Sequence, residues 1–167
     1  MVKIKVFVTV GAQLPFDRLV GWCIQLSEKY SHMMDFSFQV GDKSDLHSMS
    51  PKWAELMNKN EFYEEFVNAD IIVSHAGMGN ILSAIEFSKP IMVVPRLSAF
   101  GEHRNDHQLD TVEYLKNYSD GVVISGKSSE DIESFLMTFV NNGKSGVSKK
   151  LHNILSENVE KWILKNI

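Results

Sequence analysis

Ser74-His75-Ala76-Gly77-Met78-Gly79-Asn80 stands between a short apolar run and a segment of helical periodicity. Two glycines let a backbone come close to a ligand, and the free N–H groups of a first helical turn carry the positive end of the helix dipole. Such a turn binds anions, phosphate most naturally. His75 adds a donor whose protonation a bound phosphate can itself favour, and Asn80 adds another at the helix entry. The competing reading is a glycine turn that only packs helix against strand, with His75 satisfied by a nearby carbonyl.

A second cluster follows the next apolar run. Between Arg96 and Gln108 the chain holds two Arg, two His, Glu102, Asn105, Asp106 and Gln108 within 13 residues, and polar loops of this length in compact domains are usually functional. Groups of this mix can hydrogen-bond sugar hydroxyls, and arginine can meet phosphate; the alternative is a solvated loop. His103 and His107 are four apart, with Glu102, Asp106 and His75 as further ligands, so a metal-dependent enzyme also stays open. The order is not His-Glu-x-x-His, however, and Gly101 argues against a regular helix there. Gly11-Ala12-Gln13, after the first apolar run, gains weight only from its position. Cys23 lies on an apolar stripe and reads as a buried thiol. No serine sits in a nucleophile elbow, and neither glycine turn completes the three-glycine dinucleotide fingerprint.

These residues need elements to hold them. Ile4 to Val10 reads as a strand ending at Gly11, and Phe16, Leu19, Val20, Cys23 and Ile24 recur as one face of a helix. Phe36, Phe38 and Val40 alternate as a second strand, Asp42 to Pro51 reads as a loop, and Trp53 to Lys59 receives no assignment. Phe62, Phe66 and Ala69 share a helical face, Ile71 to Ser74 form a strand, and Ile81, Leu82, Ala84 and Ile85 line a helix stopped by Lys89-Pro90. Ile91 to Val94 is a further strand, then come a helix carrying Leu109, Val112 and Leu115 and a strand at Val122 to Ile124. Ser128 with Asp131 resembles a capping box for a helix bearing Ile132, Phe135, Leu136 and Phe139, and Asn142-Gly143 supplies its stop. A last helix, about 148–165, carries Leu151, Ile154, Leu155, Val159, Trp162 and Ile163, a stripe suited to a partner interface or to the domain's own core.

Strand and helix alternate, and the strands are mostly continuous apolar runs, as in a sheet covered on both faces. The expected fold is α/β, a single Rossmann-like domain with a parallel sheet over residues 1–167. Ligands of such sheets bind beyond the carboxyl ends of the strands, where the loops starting at Gly11, Gly41, His75 and Pro95 converge. Composition agrees: 167 residues at 44% hydrophobic and 23% charged suit one compact domain and exclude a disordered chain. Seventeen basic against 21 acidic residues give −4 without a basic block beyond Lys149-Lys150, so nucleic acid is not an expected partner. A lone cysteine fits a reducing interior, and no apolar run approaches about 18 residues, so membrane contact is expected to be peripheral or through a partner.

Four segments in order carry a family resemblance. FVTVGAQ-x-PFDRLV at 7–20, SHAGMGNIL at 74–82, KPIMVVPR at 89–96 and GEH-x-x-DHQ at 101–108 resemble the donor-binding half of GT-B glycosyltransferases, family 28. Within it, they are most similar to small subunits of bacterial exopolysaccharide and capsule synthesis, themselves similar to the catalytic half of the split eukaryotic enzyme that extends dolichol diphosphate. The resemblance implies an inverting hexosyltransferase that uses a UDP-sugar and no cofactor. Its diphosphate would lie over Ala76, Gly77, Met78, Gly79 and Asn80 beside His75, with Gly11, Ala12 and Gln13 also lining the donor site. His107 and Gln108 fall where relatives read the sugar hydroxyls, with Arg96, Glu102 and Asp106 in the same loop. Where many members carry a ribose-binding Glu, this chain has Ser83, with Glu86 one turn on; a non-catalytic enhancer or scaffold subunit is therefore the alternative. One domain of about 150 residues leaves room for one GT-B half. The implied partners are a membrane-anchored subunit that holds a lipid-linked sugar acceptor and helps supply the general base, and the implied place is the inner face of the membrane.

Overall fold

Apolar residues on both sides of a strand require cover on both faces of the sheet, and the chain folds accordingly. The structure, a computed structural model, describes residues 2–42, 44–46, 53–118 and 123–141. In chain order it runs β1 (Ile4–Thr9), α1 (Asp17–Lys29), β2 (Met34–Gln39), β3 (Trp53–Ala54), α2 (Lys59–Asn68), β4 (Ile71–His75), α3 (Met78–Glu86), β5 (Ile91–Val94), a 3-10 turn (Ser98–Phe100), α4 (His107–Tyr118), β6 (Val123–Ser125) and α5 (129–141). All strand pairs are parallel, in the order β3-β2-β1-β4-β5-β6.

Successive side chains of a strand point to opposite faces, which divides the core in two. Val6 and Val8 of β1, Ile71 and Val73 of β4 and Met92 and Val94 of β5 pack with Leu19, Cys23 and Ile24 of α1 and Ile132, Phe135 and Leu136 of α5. Phe7, Ile72, Ile91 and Val93 face the other way, onto Phe66 of α2, Ile81 and Ala84 of α3 and Val112 of α4. The α/β class and the parallel sheet expected from the periodicity are those observed. Cys23 is fully buried, and burial pushes its thiol pKa far up, so it stays protonated.

Four details differ from the sequence reading. Trp53–Ala54 is an edge strand in register with Phe38 and Gln39, too short to show a period. β4 extends by one residue to His75, and β6 is Val123–Ser125, with Val122 outside the described residues. Leu82 lies on the outside of α3 and is exposed. Asn142-Gly143 and the helix expected at about 148–165 also lie outside the described residues. The capping box at α5 forms, with Asp131 N donating to Ser128 Oγ at 3.3 Å and Ser128 N donating back to Asp131 Oδ2 at 3.2 Å.

Candidate functional site

Strand order reverses between β1 and β4, because the chain leaves β1 toward β2 and later returns to β1's other side. At such a switch point two neighbouring strands send their following loops apart and open a crevice. Here those loops begin at Gly11 and Ala76.

Beneath the crevice lies a row of buried polar residues, one near the carboxyl end of each of β2, β1 and β4. Gln39, Thr9 and Ser74 are register neighbours on β2, β1 and β4. Thr9 Oγ1 donates to Gln39 Oε1 at 2.6 Å, and Gly11 N donates to Thr9 Oγ1 at 3.3 Å. Ser74 Oγ donates to the His75 carbonyl at 3.0 Å and accepts from Asn80 Nδ2 at 2.7 Å. Asn80 is thereby turned down toward the sheet, locking the start of α3 to the end of β4. Thr9 and Gln39 were not singled out from the sequence, because each is followed by an apolar residue, Val10 or Val40, and reads as an ordinary strand position.

The imidazole of His75 fills a slot made by two missing side chains. A β-carbon on Gly77 would lie 2.2 Å from His75 Nε2, and one on Gly11, whose φ is +78°, would lie 2.9 Å from Cε1. The ring's Nδ1 is 3.4 Å from both Ser74 Oγ and Asn80 Nδ2. Burial, and secondarily the nearby Arg96 charge, pull the His75 pKa from 6.5 down to about 4. The ring is neutral at pH 7.

Gly79 is different: a β-carbon there meets nothing within 4 Å. No side chain caps α3, so the N–H groups of Met78, Gly79 and Asn80 emerge at its first turn without a capping partner. Closely approachable backbone, uncapped donors and a helix dipole are the features by which a helix start can hold an anion such as a diphosphate.

Other expected site residues are turned to the protein itself. Arg96 is buried, with Nη2 donating to the carbonyls of Val10 at 2.9 Å and Leu14 at 2.5 Å, and its guanidinium lies 5.3 Å from the Phe16 ring. Gln108, also buried, accepts from Arg96 N at 3.0 Å. Glu102 accepts from Leu97 N and from Arg18, and Asp106 from the N–H and hydroxyl of Ser98. These four shape the loop walls. Gln13 and His107 are exposed, Ser83 is half-buried on α3, and Ala12 lies in the β1–α1 loop that Arg96 holds. The His103 and His107 rings meet edge to face at 4.6 Å, each with Nδ1 at Asn105 Oδ1. Because Glu102 and Asp106 are so engaged, the loop brings no metal-ligand set together, and none of three or more His, Cys, Asp or Glu is found among the described residues.

The neutral ring makes stability pH-dependent. The unfolded chain takes up a proton at His75 below about pH 6.5 and the fold only near 4. This stabilisation is complete above 6.5 and is lost as the pH falls toward and through 4, on the order of 3 kcal/mol. Urea titrations at pH 7, 5.5 and 4 are expected to show His75→Gln losing less stability on acidification than the wild type; parallel losses would refute a buried neutral ring.

The family model described as glycosyltransferase family 28 C-terminal domain matches residues 5–159. The mouse (Mus musculus) UDP-N-acetylglucosamine transferase subunit ALG13 is 30% identical over 122 residues, 66% of this chain and 10% of that protein. The subunit of the same name from Cryptococcus neoformans is 32% identical over 103 residues, 60% of this chain and 48% of its own. This chain thus spans a tenth to about half the length of those relatives. The solved structure of MurG from Acinetobacter baumannii superimposes with a TM-score of 0.65 at 13% identity, over 98% of this chain and 49% of that one. The architecture is that of the C-terminal half of a GT-B glycosyltransferase. Among the described residues no helix is long and apolar enough to cross a membrane.

Proposed function

The chain belongs to the glycosyltransferase family 28 C-terminal domain family, and on that premise we propose that it is the donor-binding subunit of an inverting glycosyltransferase that uses a UDP-sugar. The observation that carries this reading is the uncapped start of α3 at the switch point, open above Gly79 and backed by the His75 slot. The relatives' names, which specify a UDP-N-acetylglucosamine transferase subunit, support the donor class and the need for a second subunit.

In this reading the diphosphate lies over Ala76 to Asn80 beside His75, with Gly11, Ala12 and Gln13 along the other wall. Ser83 meets the ribose through a hydroxyl in place of a carboxylate. His107 meets the sugar hydroxyls, while Arg96, Glu102, Asp106 and Gln108 hold the loop that presents it. The acceptor hydroxyl oxygen forms the new bond to the anomeric carbon as the bond from that carbon to the diphosphate oxygen breaks. The hydroxyl proton passes to a base on the second subunit, and the leaving diphosphate keeps the electron pair. The N–H groups of α3 stabilise that growing charge. His75 serves the same end, because an adjacent anion raises its pKa and draws a proton onto the ring.

The second subunit is membrane-anchored and holds a lipid-linked sugar, so this chain works at the inner face of the membrane through its partner. The exopolysaccharide or capsule setting rests on the motif resemblance, since the relatives compared are from mouse and a fungus. Ser83 favours a second reading, a non-catalytic subunit that keeps the fold. Turnover by the two-subunit complex, measured with UDP-glucose, UDP-galactose, UDP-glucuronate and UDP-N-acetylglucosamine on a lipid-linked glucose acceptor, separates them. The enzyme reading expects transfer from one donor and its loss with His75→Ala combined with Gly79→Val. Full activity of that double variant would establish the scaffold reading.

A further inference from the structure

The loop between β5 and α4 is closed on itself and then fastened to α1. Within it, Glu102 Oε2 accepts from Leu97 N at 2.9 Å, and Asp106 accepts from Ser98 N at 2.7 Å and Ser98 Oγ at 2.9 Å. From α1, Arg18 Nε and Nη2 donate to the two Glu102 oxygens at 2.7 and 2.8 Å, and Nη2 also donates to the Pro95 carbonyl at 3.1 Å. The guanidinium lies 5.2 Å from the Phe16 ring, 4.9 Å from Trp22 and 5.2 Å from Phe100.

This is not a loose surface pair. The two side chains are only 20% and 10% exposed, and the fork geometry fixes both partners in a way a lysine cannot reproduce. Phe16 joins two braces: Arg96 packs on its ring while holding the β1–α1 loop, and Arg18 packs on it while holding the loop tip. β4 and β5 are neighbours, with His75 in register with Val94 and Ala76 N donating to the Val94 carbonyl at 3.1 Å. The loop that Arg18 fastens therefore leaves the sheet beside the anion turn.

We propose that Arg18 is a positioning residue for the transferred sugar: through its fork on Glu102 it pre-orders the loop tip against the site without touching the donor. The proposal rests on the nucleotide-sugar reading above. A loop ordered beforehand does not lose its freedom on binding, so affinity for the part of the ligand it contacts is kept. The diphosphate turn is built from β4 and α3, and the hydrogen bonds of Arg18 and Glu102 go to each other, to Pro95 and to Leu97 rather than to that turn. Arg18 is thus expected to matter for the sugar and not for the nucleotide.

Calorimetric titration tests this with UDP and with the tightest binder among UDP-glucose, UDP-galactose, UDP-glucuronate and UDP-N-acetylglucosamine. Arg18→Gln is expected to leave the Kd for UDP within about twofold while weakening the UDP-sugar by about tenfold, with Arg18→Lys falling between. Equal weakening of both ligands would assign Arg18 to general folding and overturn the proposal, as would unchanged binding of both. If Arg18→Gln does not fold, Glu102→Gln, which keeps the acceptor for Leu97 N but loses the charge, is read by the same criteria. A wild-type chain that binds neither ligand would refute the nucleotide-sugar reading itself, and the sugar role of Arg18 with it.

Discussion

Gly79→Ala is expected to abolish most of the proposed nucleotide-sugar affinity while leaving the fold as stable as before, or more so. A β-carbon at Gly79 meets no atom within 4 Å, and the residue sits in the first turn of α3, where Ala is preferred to Gly by about 0.5–1 kcal/mol. Nothing inside the protein penalises the methyl group. In the proposed donor pose it projects into the space that a diphosphate needs in order to reach the N–H groups of Met78, Gly79 and Asn80. Displacing the diphosphate loses at least one charge-assisted hydrogen bond, each about 1.5–3 kcal/mol, so a loss on the order of a hundredfold in Kd is expected. Calorimetry of binding and thermal melting, run on the same sample, give the two readouts. Wild-type affinity in this variant would place the anion elsewhere. Gly77→Ala makes a poor substitute, because its β-carbon would strike His75 Nε2 and mix binding with strain.

Arg96→Met carries the largest expected loss of stability, about 3 kcal/mol. The side chain is 4% exposed, and Nη2 holds the carbonyls of Val10 and Leu14. Bonds from a charged donor contribute about 1.5–3 kcal/mol each. The cost of burying the charge offsets part of this: the pKa is pulled down to about 10 by burial, and Nε is buried with no partner. Met fills a similar volume, so the loss reads the hydrogen bonds more than a cavity. Urea denaturation should show a lowered midpoint with an unchanged slope. A loss below about 0.5 kcal/mol would show that the β1–α1 loop holds its shape without Arg96.

The class of fold was legible because helix and strand periods differ and each apolar run is bounded by Gly, Pro or a polar stretch. Strand order was not, since Ile71 to Val73 and Ile91 to Val93 are equally apolar and nothing local says which adjoins β1. The switch point therefore emerged only with the pairing of Thr9 to Ser74. The 74–80 turn was readable from its glycines as a close approach of backbone at a helix start, but the different surroundings of those glycines were not. Gly77 makes room for His75, whereas a β-carbon on Gly79 would meet open space. Residue type misled at Arg96 and Gln108. Both look ligand-directed in sequence, yet Arg96 meets carbonyls 82 and 86 positions away and Gln108 is drawn onto the Arg96 backbone. Arg18 escaped notice for the same reason, its partner lying 84 positions along the chain.

The crevice between the β1 and β4 loops is the proposed seat of the nucleotide diphosphate. Titrating the isotope-labelled chain with UDP and following its amide resonances tests this most directly. The largest shifts are expected at Gly11, Gly77, Met78, Gly79 and Asn80. Little change is expected around the cavity of about 200 Å³ lined by Lys5, Asp35, Ser37, Glu65 and Asn68 near the amino ends of β1 and β2. Shifts centred on that cavity, or a spectrum unmoved by saturating UDP, would contradict it.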